Sequence, residues 1–295
     1  MVRGICAGDA KSISAKSFVA GPLFNLEQNY GSIFRGLLKR KLKGESPKFS
    51  SSKSELVQRV RAEKWNVWSL EGGLETLIQS LAAKLKTDGI DIVLEHELDE
   101  IDPKLGKVQD SDFTIWSTPA FETAKHVPEP FQSTLNSIPF VDVAVINFLF
   151  SNGSLIQDPG FGFLVPSNQV DVPILGVIFD TCSFPQHNQT IFTVMLGGFW
   201  FEKLFGKNPN PSDLESIALE NLRKIMKFQD EPSEVVTKIH RNAIAQYTVG
   251  HWHRVQELRE KAQNYPLAFV GSSYDGVGVN DAIMSSKNQI ENRIK

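Results

Sequence analysis

The sequence has little of what several common protein classes need. It contains only two cysteines, Cys6 and Cys182, whose separation matches neither a disulfide framework nor a metal-binding spacing. It has no excess of basic residues, because its net charge is -3 at pH 7, and this argues against nucleic-acid binding. It also has no uninterrupted apolar run of the about 18 residues that a membrane-spanning helix requires. These absences leave an ordinary globular composition.

Tyrosine is scarce as well, since the chain has 4 tyrosines against 20 phenylalanines. Such a surplus of phenylalanine builds either an apolar, aromatic-walled surface or a phenylalanine-rich core. Composition alone favours the core. A length of 295 residues allows one large domain or two ordinary ones.

Motifs for hydrolysis, for a Walker phosphate loop and for zinc binding are absent. His251 and His253 in "HWH" lack the spacing of a zinc protease, and we expect them at alternating positions of a strand. The sequence "EHE" at 95–97 is likewise expected on a strand surface. We therefore assign no catalytic side chain and no metal ligand.

The first half of the chain predicts α/β structure. Apolar residues from Leu77 to Leu85 repeat at helical spacing, and "IDIVL" (90–94) then predicts a strand. "FTIWSTPA" (113–120) predicts a second strand that ends in a loop. Alternation of helix and strand is typical of α/β sheets.

The residue pattern changes at 138–205. Short β-branched and aromatic runs separated by turn residues predict an antiparallel sheet of about four strands. A helix is then expected from Ser212 to Met226, with Ser212 as N-cap and Glu215 completing a capping box. Strand-like sequence returns at 234–252.

A glycine loop lies near the end of the chain. The apolar run "LAFVG" leads into "SSYDGVG", and a helix is expected from Val279. Gly276 and Gly278 allow a ligand to approach the backbone closely, and the free N–H groups of a helix start favour negative charge. Taken alone, the same pattern is also that of a tight strand-to-helix connection.

A basic amphipathic segment lies at 32–45, where apolar residues alternate with lysine and arginine in "SIFRGLLKRKLKGE". Such a segment either lies on an anionic membrane surface or is a solvated helix end that runs into a loop. Both interpretations remain open from the sequence.

Together, several segments resemble a known family. "SLEGGLETL", "GFGFLVPS", "TVMLGG", "QYTVGHW" and "SSYDGVGVNDAI" occur in the order and at the separations found in oxygen-dependent protoporphyrinogen oxidases of the animal mitochondrial type. These enzymes belong to the flavin amine oxidase superfamily. The resemblance runs from about Arg3 to the end of the chain.

The resemblance implies an α/β (α+β) fold, an incomplete FAD-binding domain with an inserted antiparallel-sheet substrate domain. It places a helical remnant of a membrane-binding domain at 1–55 and part of the FAD-binding domain at 56–128. The substrate-binding domain is expected at 129–237, and the return to the FAD-binding domain at 238–295.

The resemblance also implies an activity, the oxidation of protoporphyrinogen IX to protoporphyrin IX in haem biosynthesis. FAD would accept hydride equivalents, and O2 would reoxidise it to give hydrogen peroxide. Peripheral attachment to the mitochondrial inner membrane on the intermembrane-space side, a homodimer and contact with ferrochelatase are further properties that the family implies. No nucleic-acid partner is expected.

The cofactor-binding residues that the family implies are few. Its flavin-holding loop falls on Val277, Gly278 and Val279. An adenine-side contact falls on Leu98, where the family prefers valine, and a third FAD contact on Ile239.

The tetrapyrrole pocket that the family implies is apolar. It falls on Gly4, Phe161, Gly162, Leu164 and Met195. Aromatic and aliphatic walls suit a large, mostly apolar macrocycle, and glycine leaves room for it.

The chief departure from the family is the motif G-x-G-x-x-G, which binds the FAD pyrophosphate and which the sequence does not contain. We therefore expect a truncated member, weak or inactive alone, that lacks the N-terminal FAD-binding βαβ portion. The alternative is a non-catalytic paralogue that acts as a porphyrin-binding or interaction module.

Overall fold

The computed structural model describes residues 1–18, 21–42, 54–65, 68–98, 100–169, 171–185 and 188–293. Contacts divide the chain into two compact units. The first unit consists of Met1–Phe24 and Ile101–Lys295, and the second of Asn25–Glu100.

The strands of the described residues all belong to the first unit. They are β1 (Ile101–Asp102), β2 (Lys107–Val108), β3 (Thr114–Trp116), β4 (Phe140–Phe150), β5 (Gly162–Leu164), β6 (Ile174–Phe179), β7 (Thr190–Gly197), β8 (Glu234–Ala245) and β9 (Leu267–Phe269).

The helices are distributed over both units. They are α1 (Val2–Cys6), α2 (Gly21–Tyr30), α3 (Ile33–Leu42), α4 (Glu55–Glu63), α5 (Glu75–Thr87), α6 (Ala120–Thr123), α7 (Glu129–Asn136), α8 (Asp180–Ser183), α9 (Phe201–Phe205), α10 (Pro211–Met226), α11 (His251–Ala262) and α12 (Val279–Arg293).

The main element of the first unit is a five-stranded antiparallel sheet in the order β5-β6-β7-β4-β8. The four strands predicted within 138–205 are confirmed as β4 to β7, and β8 adds an edge strand. Along β7, buried and partly buried residues alternate, which gives the sheet two different faces.

One face of this sheet, here called the core face, packs against α10. Apolar residues repeat every four positions from Leu214 to Leu222 on α10, and these side chains are fully buried. The Phe192 ring stacks on Phe228 with centroids 6.0 Å apart and meets Phe150 edge-on at 5.9 Å. The phenylalanine surplus therefore serves the core, as composition favoured.

A parallel strand pair forms a second part of the first unit. Strands β3 and β9 pair in register from Thr114 opposite Leu267 to Trp116 opposite Phe269. This confirms the strands predicted at 113–120 and at "LAFVG". Because a parallel pair is combined with helices and a separate antiparallel sheet, the mixed α/β class is also confirmed.

Two strand predictions in the second unit are wrong. Residues 90–94 are not in a strand, and Val93 and Leu94 are 70% and 76% exposed. The described part of this unit has no other strand, and an extended segment without a partner is unstable. The residues at 95–97 are also irregular, since Glu95 has a φ of +55° that interrupts any extended run.

The prediction that the histidines of "HWH" alternate along a strand is wrong too. Strand β8 ends at Ala245, and Gly250 then takes a φ of +88°. His251 and His253 open α11 directly after this turn. A glycine with positive φ lets the chain change direction there, so the histidines begin a helix.

The predicted capping box of α10 is wrong in its details, although its helix is confirmed. The N-cap is Asn210, whose side chain accepts a hydrogen bond from the Ser212 backbone N–H at 3.2 Å. Pro211 occupies the first helical position, which favours a cap directly before it. Glu215 accepts instead from the Thr237 hydroxyl on β8 at 2.7 Å.

The basic segment at 32–45 forms α3 over its described part, while residues 43–45 lie outside the described residues. Gly36 lies against α2, where a Cβ would come 2.8 Å from Leu26. Phe34 and Leu42 are 84% and 78% exposed. Both interpretations of the segment therefore stand. Among the described helices none combines the length and the apolar character needed to cross a bilayer.

The packing of the core face predicts the effect of shortening one of its side chains. Phe192→Ala should lower the free energy of unfolding by about 3–5 kcal/mol, because it leaves a cavity among several aromatic rings. Phe199→Ala is the matched control, since Phe199 is 54% exposed, and should cost far less. Denaturant unfolding of both variants checks the prediction, and equal losses would contradict it.

Candidate functional site

The glycine loop lies between β9 and α12 of the first unit. Gly271 turns the chain with a φ of +105°. Helix α12 then begins at Val279, and the Gly278 carbonyl accepts its first helical hydrogen bond from Ala282 at 2.9 Å. The N–H groups of the first turn have no acceptor inside the helix. The loop therefore presents backbone donors and the positive end of a 15-residue helix.

The backbone of this loop is bare at its glycines. A Cβ on Gly278 would meet nothing within 4 Å except the Asp281 carboxyl group, whose Oδ2 is 3.1 Å away. A Cβ on Gly276 would lie 2.2 Å from Asp281 Cβ. Gly278 thus leaves space at the helix start, whereas Gly276 permits the close approach of Asp281, which borders that space.

Two aromatic side chains from "QYTVGHW" hold the loop. The Tyr247 hydroxyl donates to the Ser272 carbonyl at 2.7 Å, and His251 Nε2 lies 2.7 Å from the Tyr274 carbonyl. The Tyr247 and His251 rings stack with centroids 4.0 Å apart. Local sequence patterns do not predict this role, because the hydrogen-bond partners are far apart in the chain.

Burial sets the charge state of this pair. His251 is 1% exposed, and burial lowers its pKa to about 4, although its hydrogen bond to Tyr274 opposes the shift. The ring is therefore neutral at pH 7, and since Nε2 faces a carbonyl it carries the proton and donates. Burial also raises the pKa of the Tyr247 hydroxyl, so both groups are uncharged.

A second group of predicted residues meets on the sheet face opposite the core face, here called the open face. It carries Met195 and Val145, which pack with buried Val143 and Leu175. Leu164 pairs with Gly176, which in turn pairs with Met195.

Gly4 joins this face from α1. A Cβ on Gly4 would lie 2.6 Å from Leu164 Cδ2, so only glycine fits without displacement of Leu164. Gly162 lies on β5 with a φ of +141°, and Phe161 beside it is 63% exposed. The structure thus brings together Gly4, Leu164 and Met195, with Gly162 in the neighbouring row of the sheet.

The other two predicted cofactor residues are placed differently. Leu98 lies in an irregular segment of the second unit and is 41% exposed. The Ile239 side chain packs into the core under α10, so any contact with a ligand would involve its backbone. Their roles stay predictions.

Comparison with known families gives the decisive observation. The family described as "Flavin containing amine oxidoreductase" matches residues 1–289.

The chain belongs to the flavin containing amine oxidoreductase family.

Similar proteins agree with this membership. The chain is 34% identical to protoporphyrinogen oxidase of Bos taurus, over 97% of this chain and 63% of that protein. It is 32% identical to the Homo sapiens enzyme over the same shares. The chain therefore spans less than two thirds of the length of these relatives.

A solved structure shows the same fold. A candidate protoporphyrinogen oxidase from Exiguobacterium sp. 255-15 superposes with a TM-score of 0.74 at 24% identity. The match covers 99% of this chain and 61% of that one. The predicted flavin amine oxidase fold is thereby confirmed.

The cofactor of this flavin amine oxidoreductase is FAD. The glycine loop fits the ring end of a flavin, because bare backbone N–H groups at a helix start suit an electron-rich carbonyl and ring nitrogen. Val277 packs on the neighbouring core, and Val279 is 67% exposed. The backbone N–H donors thus lie at the protein surface, in a loop that packs against the core through Val277.

The neutral state of His251 predicts a pH dependence of stability. Its pKa in the folded protein lies below the ordinary 6.5, so the unfolded chain takes up a proton first as the pH falls. Stability from this group is fully present above about pH 6.5 and is lost towards pH 4, by up to about 3 kcal/mol.

Unfolding free energies measured between pH 7 and pH 4 check this sign. His251→Phe should flatten the dependence relative to the unsubstituted chain, whereas His253→Gln, at an exposed position, should preserve it. An unchanged slope in His251→Phe would show that His251 is not the responsible group.

Proposed function

We propose that this protein oxidises protoporphyrinogen IX to protoporphyrin IX with FAD and O2. The observation that carries the proposal is the meeting of Gly4, Leu164 and Met195 on the open face of the sheet. These residues come from three separate segments, and the family resemblance implies each of them in the tetrapyrrole pocket. Relatives named protoporphyrinogen oxidase support the proposal.

The open face is the substrate wall in this proposal. Leu164 and Met195 supply aliphatic surface for a broad, apolar macrocycle, and burial of that surface drives binding. Gly4 keeps the wall flat, since any larger residue would displace Leu164. The chain's contribution is to bind and orient the macrocycle and to exclude water from it.

The glycine loop is the flavin-ring contact. FAD, when bound, supplies the hydride acceptor, and O2 restores its oxidised form with release of hydrogen peroxide. The N–H groups from Val277 to Val279 stabilise negative charge that develops at the facing ligand edge. Tyr247 and His251 hold these donors in place.

A second candidate is a non-catalytic porphyrin-binding or interaction module. It is favoured by one observation, that G-x-G-x-x-G does not occur in these 295 residues. Without this pyrophosphate-binding motif, the affinity for FAD depends on the other contacts, such as those of the glycine loop. We therefore expect weak turnover from this chain alone.

The family implies a location and partners as well, and we include them in the proposal. These are peripheral attachment to the mitochondrial inner membrane on the intermembrane-space side, a homodimer and contact with ferrochelatase. Exposed Phe34 and Leu42 beside the basic residues of α3 support membrane attachment.

Phe161, which the family resemblance implies in the tetrapyrrole pocket, provides a test of that assignment. Phe161→Ala should weaken protoporphyrin IX binding about 3- to 10-fold, because an aromatic contact contributes about 0.5–1.5 kcal/mol beyond its buried area. Stability should be unaffected, since the ring is 63% exposed. Fluorescence titration measures the affinity. Phe34→Ala removes an exposed ring of the second unit and should change nothing. Equal effects of the two substitutions would contradict the assignment.

Turnover separates the two candidate functions. The 295-residue chain is mixed with protoporphyrinogen IX in air-saturated buffer, with and without added FAD. Protoporphyrin fluorescence and hydrogen peroxide are followed against a protein-free control, because the substrate also oxidises spontaneously. We expect slow turnover that requires added FAD and is lost in Gly278→Asp, which places a second carboxylate at the loop. Porphyrin binding without FAD-dependent turnover would favour the module, and absence of binding would contradict both candidates.

A further inference from the structure

A chain of polar side chains crosses the open face. Asn147 Nδ2 on β4 donates to Thr193 Oγ1 on β7 at 2.6 Å. The Thr193 hydroxyl in turn donates to Asp180 Oδ2 at 2.8 Å. The Thr193 hydroxyl accepts the first hydrogen bond through one of its lone pairs and uses its single O–H donor for the second, so the Asp180 carboxylate ends the chain as an acceptor.

The carboxylate of Asp180 has no cationic partner among the described residues. Among the ion pairs formed by the described residues, none includes Asp180. The residue is nevertheless half-buried, and burial raises the pKa of its carboxyl group although the Thr193 hydrogen bond opposes the shift. Keeping a partly desolvated anion without a cation is unfavourable, and such groups cluster at functional sites.

The register places this chain beside the predicted pocket. Thr193 is two residues from Met195 on β7, so both side chains lie on the open face. In the Thr193 row, Ile178 pairs with both Thr193 and Gly162. The polar chain therefore borders the same wall that Leu164 and Met195 form.

The chemistry of the proposed substrate supplies a matching donor. In a porphyrinogen every pyrrole nitrogen carries a hydrogen, and the saturated carbons between the rings let the rings tilt. Their N–H groups can then point together towards one face and share an anionic acceptor. In the planar, conjugated porphyrin the remaining N–H groups point inward in the ring plane, where a carboxylate outside the ring cannot reach them.

We propose that Asp180, oriented by Thr193 and Asn147, accepts hydrogen bonds from the pyrrole N–H groups of a reduced tetrapyrrole. This inference rests on the proposed function and extends it, because it makes Asp180 the group that distinguishes porphyrinogen from porphyrin. Asp180 contacts the ligand directly, while Thr193 and Asn147 are positioning residues.

Competition binding tests the inference with the chain as it is. Protoporphyrinogen IX, kept reduced without oxygen by excess dithionite, displaces fluorescent protoporphyrin IX from the protein. Asp180→Asn should weaken protoporphyrinogen IX binding about tenfold, the usual loss for a hydrogen bond to a charged group, and leave protoporphyrin IX affinity unchanged. Thr193→Val should shift affinity in the same direction, and Thr193→Ser, which keeps the hydroxyl, should restore it.

Two controls separate binding from a purely structural role. Asp158→Asn removes an exposed carboxylate of the same charge before β5 and should alter neither affinity. Unfolding free energies of all variants report any damage to the fold. Equal weakening for both ligands, or no change in Asp180→Asn, would overturn the assignment. Failure of the unsubstituted chain to bind either tetrapyrrole would instead refute the proposed function on which the assignment rests.

Discussion

Burial of the phenylalanine face of the sheet against α10 is the constraint on which the rest of the first unit depends. Successive residues of a strand point to opposite faces, so once Phe192 and Val194 are committed to the core, Thr193 and Met195 must lie on the other side. A register slip of one residue would exchange the two sets and is prevented by the loss of aromatic burial. The composition of the open face therefore follows from the packing of the core face.

Helix α1 reaches the open face through a buried cation. Arg3 is 5% exposed. Its guanidinium donates to the backbone carbonyls of Pro166, Gln169 and Val172, between β5 and β6, and of Ile174 at the start of β6. Carbonyl oxygens accept from its two terminal nitrogens without a carboxylate, whereas its buried Nε has no acceptor among the described residues. Its charge lies over the Trp200 ring. This anchoring fixes the next residue, Gly4, against Leu164. One arginine thus links the short helix α1 to the strands whose register the core determines.

Sequence patterns predicted the secondary structure correctly where interactions within one segment determine it. Alternating aromatic and β-branched runs gave β4 to β7, and a glycine pair marked the start of α12. The strand at 90–94 failed because strands need partners, and the sequence of one segment does not say whether a partner is present. The role of His251 was missed since its acceptor, the Tyr274 carbonyl, is supplied by tertiary structure. By contrast, the N-cap of α10 was predictable from the sequence, because asparagine directly before proline favours a helix start. The prediction of Ser212 as N-cap was two residues too late.

The two parts of the candidate site differ in which groups they present, and this explains why the sequence revealed them unequally. The glycine loop presents backbone N–H groups, so its signature in the sequence is glycine. The open face presents side chains from three strands and α1, and none of these residues is unusual in its own segment. Only the register converts Leu164, Met195 and Thr193 into neighbours. In the proposed pocket this face would hold a macrocycle mainly through apolar contacts, and the half-buried carboxylate of Asp180 is the group beside it that can accept hydrogen bonds from the ligand.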